Sequence, residues 1–348
     1  MKKFAAFAMF VLAAALTFVA CSAESNEKAP AQKKVSIVAT IYPQYDWLKN
    51  VLGDHLDAVN LKLLIKNGTD LHSYKPSAQD IAAIASADMV VYVGGESDEW
   101  IEKALEATPN EKRVQVNLLA ALGDRVKAEE VIEGMQAEEE HHHEHAEAHE
   151  DHDHHEHAEE HEHEHAEAPE NDEHIWLSLK NAELLVMNLA DALSKVDTAH
   201  ATKYHMNAGL YIAKISALDA QYRAATDSAS LKTILFGDRF PFRYLVDDYG
   251  IKYFAAFVGC SAESEASFET VAFLAGKMDS LALPAIFTID GSNGKIARAI
   301  LDASKKSKET PVLTLNSMQS VTDAQMQSGV DYLSIMQSNL EVLKKAIK

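Results

Sequence analysis

Short β-rich runs alternate with helical ones along most of this chain, and that alternation limits the fold more than any other feature. Residues 35–40, 59–65 and 89–93 read as strands. Residues 43–51 carry apolar residues at helical spacing behind an initial proline, which a first helical turn accommodates. Residues 77–85 and 99–107 are further helices, with Ser77 three positions before Asp80 as a capping box. The alternation resumes in residues 232–236, 244–249, 251–257, 267–281, 285–289 and 295–304, and a final helix is expected from Thr322. Strands linked through helices favour parallel sheets, because a crossover must carry the chain back to the end where the strand began. Between the two halves, residues 175–193 read as helix. Residues 197–225 contain no proline and one glycine, and repeat Tyr204, Tyr211, Ile215, Leu218 and Tyr222 at helical spacing. The expectation is an α/β protein of two lobes, 35–196 and 227–348, joined by one long helix over 197–226.

A tract of histidine and acid interrupts the first lobe at residues 138–167. Twelve of the seventeen histidines lie in it: His141, His142, His143, His145, His149, His152, His154, His155, His157, His161, His163 and His165. The segment is too polar to build a core. Imidazole and carboxylate at this density make a loop for divalent transition metals. It also explains the net charge of −21: residues 129–173 hold twenty Asp or Glu and no Lys or Arg, and removing those twenty leaves −1. No basic patch suggests nucleic acid.

The first twenty residues read as a signal peptide. Lys2 and Lys3 precede an apolar run over residues 4–20, which ends in Phe18-Val19-Ala20-Cys21. Small residues before a cysteine match a bacterial lipobox, although Phe18 stands where Leu is usual. Cys21 is then a lipidation site, and residues 21–34 are a polar tether. That leaves Cys260 without a disulfide partner, as a buried small hydrophobe or a reactive or metal-binding thiol.

In open parallel sheets ligands bind beyond the carboxyl ends of the strands. Four segments lie there. Residues 67–80 carry His72, with Asp70 placed to orient its ring. Residues 171–182 carry His174, where ordered apolar sequence resumes after the tract. Residues 235–267 carry Asp238 and Cys260. Residues 287–297 carry Asp290, a helix cap or a ligand. His55, His200 and His205 are assigned to solvated or helix-face roles, and Trp47, Trp100 and Trp176 to the core. Neither a phosphate-binding loop nor a helical H-E-x-x-H is present; the H-E pairs fall in the tract.

The ATIYPQYDWL start, the GTDLHSYKP block, the DEHIWL block and the long joining helix, in that order over residues 35–347, resemble the metal-binding lipoproteins of bacterial zinc and manganese ABC importers, the high-affinity zinc-uptake family. The resemblance implies two lobes, each with a four-stranded parallel sheet, and a metal between them. The family's two histidine ligands map onto His72 and His174, and its terminal carboxylate onto Asp290. Its third ligand, normally His or Glu, falls at Gly237 in a segment about two residues longer than usual. Asp238 is the nearest replacement and Cys260 the alternative; water or a tract histidine could also complete the site.

The implied function is capture of zinc, with manganese as the alternative cargo, and delivery to an ABC permease with its ATPase. The expected carrier is a monomer, not an enzyme, held outside the cytoplasm by lipid on Cys21. A metal-dependent hydrolase and a metal-buffering surface adhesin are the competing classes.

Overall fold

The computed structural model describes residues 34–136, 170–261 and 265–347. The signal segment, Cys21 and the His-rich tract lie outside the described residues. Among the described residues, no helix is long and apolar enough to cross a membrane.

Two four-stranded sheets carry the fold. The first is ordered β2-β1-β3-β4, from β1 (Val35–Ala39), β2 (Val59–Leu63), β3 (Met89–Tyr92) and β4 (Val114–Asn117); every pairing is parallel. The second is ordered β6-β5-β7-β8, from β5 (Thr233–Phe240), β6 (Lys252–Val258), β7 (Ile286–Ile289) and β8 (Val312–Leu315), also all parallel. In each sheet the chain builds outward on one side, then crosses back to pair on the other. The reversal lies between β1 and β3, and between β5 and β7. Loops diverge there and leave a crevice.

Helices α1 (Tyr42–Leu52), α2 (Ala78–Ser86), α3 (Glu99–Ala107) and α4 (Leu118–Leu122) connect the first sheet. The Ser77–Asp80 capping box is present at α2. Next come α5 (Leu179–Val196) and the 27-residue α6 (Ala201–Asp227), which joins the lobes. The expected tyrosine and aliphatic stripe of α6 is buried. Helices α7 (Arg243–Tyr249), α8 (Phe268–Leu281) and α9 (Lys295–Ala303) serve the second sheet. The final helix is two, α10 (Asp323–Gln327) and α11 (Tyr332–Leu343). Gly329, at φ 87°, occupies a backbone conformation that ends helices between them.

Strands β4 and β8 have no clear signal in the sequence. Each is a four-residue edge strand with partly exposed faces, so neither forms a continuous apolar run. Trp47 and Trp176 are fully buried, whereas Trp100 is half-buried against Tyr74.

α11 packs back on α1 and α6 and ties the lobes together. The Tyr332 hydroxyl donates to the Trp176 carbonyl (2.7 Å), its backbone N–H to Asp46 (3.2 Å), and its ring meets the Trp47 edge (5.3 Å between centroids). Trp176 in turn donates its indole N–H to the Ser317 carbonyl (2.8 Å). The loop after β8 is therefore anchored beside the turn that carries His174.

Candidate metal centre

His72 sits in a short turn, Leu71–Ser73, after β2. Asp70 does not orient its ring, contrary to the sequence expectation. One Asp70 oxygen accepts the His72 backbone N–H (3.0 Å), and the other pairs with Arg239 of the opposite lobe. A carboxylate two residues upstream reaches the backbone N–H more readily than the ring. The ring Nδ1 meets Ser97 Oγ instead (2.6 Å), with the Glu173 carboxylate 3.9 Å away.

His174 is fully buried. A single Asp172 oxygen accepts both its backbone N–H and its ring Nδ1–H, each at 2.9 Å. That bond fixes the tautomer: the proton is on Nδ1 and the lone pair on Nε2 points into the cleft. Gly259 of the second lobe lies against this ring. A side-chain carbon there would sit 3.0 Å from both Cε1 and Nδ1 and would press on the ring, so glycine lets the second lobe approach it closely.

The two Nε2 atoms lie 3.2 Å apart. Gln319, from the loop after β8, donates one amide N–H to each, at 3.0 Å to His72 and 2.8 Å to His174. Cys260 joins His72 and His174 in a group whose ligand atoms, the Cys260 sulfur and one ring nitrogen from each histidine, lie within 4.8 Å of one another. Asp238 and Asp290 are not in that set. Asp238 lies in a bulge of β5, where the register with β6 shifts between Phe236 and Arg239. Its oxygens take its neighbour's N–H (3.0 Å) and that of Ile289 (3.5 Å). Arg239, at the far side of this bulge, pairs with Asp70 of the other lobe. Gly237 itself has no room for a ligand: a Cβ would fall 2.4 Å from the Ala297 backbone.

Asp290, after β7, is clamped by the Ser317 N–H (2.5 Å), the Ser317 hydroxyl (2.7 Å) and the Ser320 hydroxyl. These bonds brace the loop that holds Gln319. Asp290 and Asp238 line a cleft of about 440 Å³ together with Asp70, His72 and Arg239, so both lobes face one space.

The electrostatics around the donors are strongly graded. Burial and the neighbouring His174 push His72 down to about 3, so its imidazole stays neutral. Burial, then Glu129, pushes the Cys260 thiol up, and Glu129 accepts the Cys260 backbone N–H (2.9 Å). Burial also raises Glu173, and raises Asp98 beneath it to about 7. One Glu173 oxygen takes the Ser97 N–H (2.8 Å), while the other is buried and unpaired. The neutral His72 ring has a lone pair to offer a cation, and a cation would in turn favour the ionised form of the buried Glu173 beside it.

Sequence reasoning missed Ser97, Glu129, Asp172, Glu173 and Gln319. Asp172 had a legible signal, an acid two residues before a selected histidine. Gln319 had none.

The model of the family "Zinc-uptake complex component A periplasmic" matches residues 37–346. The zinc-binding lipoprotein AdcA of Streptococcus pneumoniae is 33% identical over 333 residues, 95% of this chain and 58% of the relative. The chain thus spans under three-fifths of that relative's length. The high-affinity zinc uptake system protein ZnuA of Bacillus subtilis is 30% identical over 342 residues, 97% of each chain. Among solved structures, the Zn(II)-bound ZnuA-like domain of S. pneumoniae AdcA superposes with a TM-score of 0.65 at 28% identity, over 90% of this chain and 99% of that one.

Proposed function

We propose that this chain, which belongs to the periplasmic zinc-uptake component A family, captures zinc between its lobes and hands it to a membrane permease of the ABC type with its ATPase. The observation that carries this reading is the pair of imidazole nitrogens, 3.2 Å apart, with a thiol alongside. Zinc–nitrogen bonds of about 2.0–2.1 Å at a tetrahedral angle place two nitrogens about 3.3 Å apart, so little adjustment is needed.

We assign His72, His174 and Cys260 as donors, with Asp290 as the fourth once Ser317 and Ser320 release it. Asp238 is displaced from first choice for the third position, because its oxygens are turned to the backbone. Nitrogen and sulfur donors favour zinc over manganese, which prefers oxygen. Four protein donors also leave no open position for a substrate, which argues for carriage rather than hydrolysis.

The two N–H groups of Gln319 occupy the lone pairs that a cation would take. Gln319 is therefore a placeholder: it satisfies two buried acceptors in the metal-free protein and withdraws as metal enters. Release at the permease reverses the exchange, with Arg239–Asp70 keeping the lobes in register.

Residues 1–20 are proposed to direct export and Cys21 to carry the lipid anchor, placing the carrier outside the cytoplasm. The proposed division is a first lobe over 35–196, a joining segment over 197–226 and a second lobe over 227–348. The tract at 138–167 is an accessory collector that delivers metal toward His174.

Calorimetric zinc titration of the full chain, with and without His72→Ala plus His174→Ala, tests the assignment. Loss of the tight phase, with weaker binding retained, is expected. Unchanged tight binding in the double variant would refute it.

A further inference from the structure

We propose that His55, Asp197 and His200 form a second divalent transition-metal site, on the first lobe at the foot of the joining helix. Their donor atoms lie within 4.8 Å of one another. His55 Nε2 is 3.2 Å from Asp197 Oδ2, and His200 Nδ1 lies 2.8 Å and 3.1 Å from the two oxygens of that carboxylate. Donors around tetrahedral zinc stand about 3.3 Å apart when the bonds are about 2.0–2.1 Å. The two nitrogen-to-carboxylate spacings are therefore within about half an ångström of what an ion requires, and the stacked rings must splay for both nitrogens to face it.

The donors come from two segments: Asp197 and His200 from the corner between α5 and α6, and His55 from the turn after α1. Asp197 closes α5 and receives the Tyr204 hydroxyl (2.7 Å) from the first turn of α6. His200 occupies the position just before α6. His55 comes from the turn Gly53–Ala58 after α1, which is pressed on α6: the Asn207 amide donates to the Val51 carbonyl (2.9 Å), and a side-chain carbon on Gly53 would lie 2.6 Å from the Asn207 amide nitrogen. The His55 and His200 rings stack with centroids 3.8 Å apart. Asp197 is held below the usual carboxylate range: burial works against this, but the bonds from Tyr204 and His200 and the nearby imidazoles outweigh it.

Two nitrogens and one carboxylate suit zinc, and equally nickel or copper; calcium and magnesium need oxygen shells of six or more. The His200 side chain is 40% exposed, so water can reach the ion and supply the fourth ligand. The cleft donors come from other elements, so this site fills independently of the cleft. Occupancy would fasten the turn after α1 to the corner between α5 and α6, stiffening the base of the helix that joins the lobes.

The test is anomalous scattering at the zinc edge from crystals of the full chain equilibrated with graded zinc, compared with His200→Asn. Asparagine is well tolerated just before a helix, so the variant should fold. The expected result is a peak between His55, Asp197 and His200 that His200→Asn abolishes while the cleft peak persists. A cleft peak with no corner peak overturns the proposal. So does a corner peak seen only at zinc levels that also decorate scattered surface carboxylates, which marks an adventitious ion only. In solution, zinc titration followed by imidazole nitrogen resonances should move His55 and His200 together. If those resonances stay still after His174 has saturated, the site does not exist.

Discussion

One oxygen of Asp172 holds both the backbone N–H and the ring Nδ1–H of His174, each at 2.9 Å. The aspartate thus sets where the ring points and which nitrogen keeps its lone pair. Supporting residues of this kind cost about 10–100-fold in metal affinity when removed. Asp172→Ala should weaken zinc binding by about that factor in competition titrations with a chelator, with the fold retained by circular dichroism. An affinity equal to wild type would mean that packing against Gly259 alone orients the ring.

Cys260 and Asp238 are separable with cobalt as the probe. A cobalt-loaded chain should show a thiolate-to-metal charge-transfer band that Cys260→Ser removes and Asp238→Asn leaves intact. The opposite pattern would return the third position to Asp238.

Gln319→Ala removes the two N–H groups that compete with metal. Each hydrogen bond is worth about 0.5–1.5 kcal/mol, so apparent zinc affinity should rise about 2- to 10-fold per bond no longer broken. The metal-free protein should unfold at lower denaturant, because two buried acceptors lose their donors. Lower zinc affinity in this variant would instead identify Gln319 as a ligand.

His72 gives the metal-free protein a defined acid response. Burial and His174 hold its folded pKa at about 3, against about 6.5 in an unfolded chain. Between those values the unfolded chain binds a proton that the folded one does not. Stability is therefore lost as pH falls through that window, and is fully present above pH 6.5. At pH 5 the loss from this group is about 2 kcal/mol, at 1.36 kcal/mol per pH unit. Urea unfolding at pH 7 and pH 5 should show a smaller difference for His72→Gln than for wild type. Equal differences would mean that the ring protonates in place.

Deleting residues 138–167 should leave tight zinc binding unchanged by calorimetry and slow zinc-dependent growth only when zinc is scarce. Loss of tight binding would move the tract into the primary site.

The sequence by itself determined the α/β architecture, the two lobes and the joining helix, because each rests on local periodicity. It also singled out His72, beyond a strand end, and His174, where ordered apolar sequence resumes after the tract. What only tertiary structure decided is which groups converge on them. Cys260 and Gln319 stand 188 and 247 residues from His72 in sequence, and the crevice between lobes brings both to it. Asp70 went the other way: its position beside His72 suggested an orienting role, but its second oxygen pairs with Arg239 of the opposite lobe. His55 and His200 each read as a lone surface histidine, and only the packing of the Gly53–Ala58 turn on α6 sets them around one carboxylate. Periodicity is a property of neighbours along the chain, whereas a coordination sphere is a property of neighbours in space.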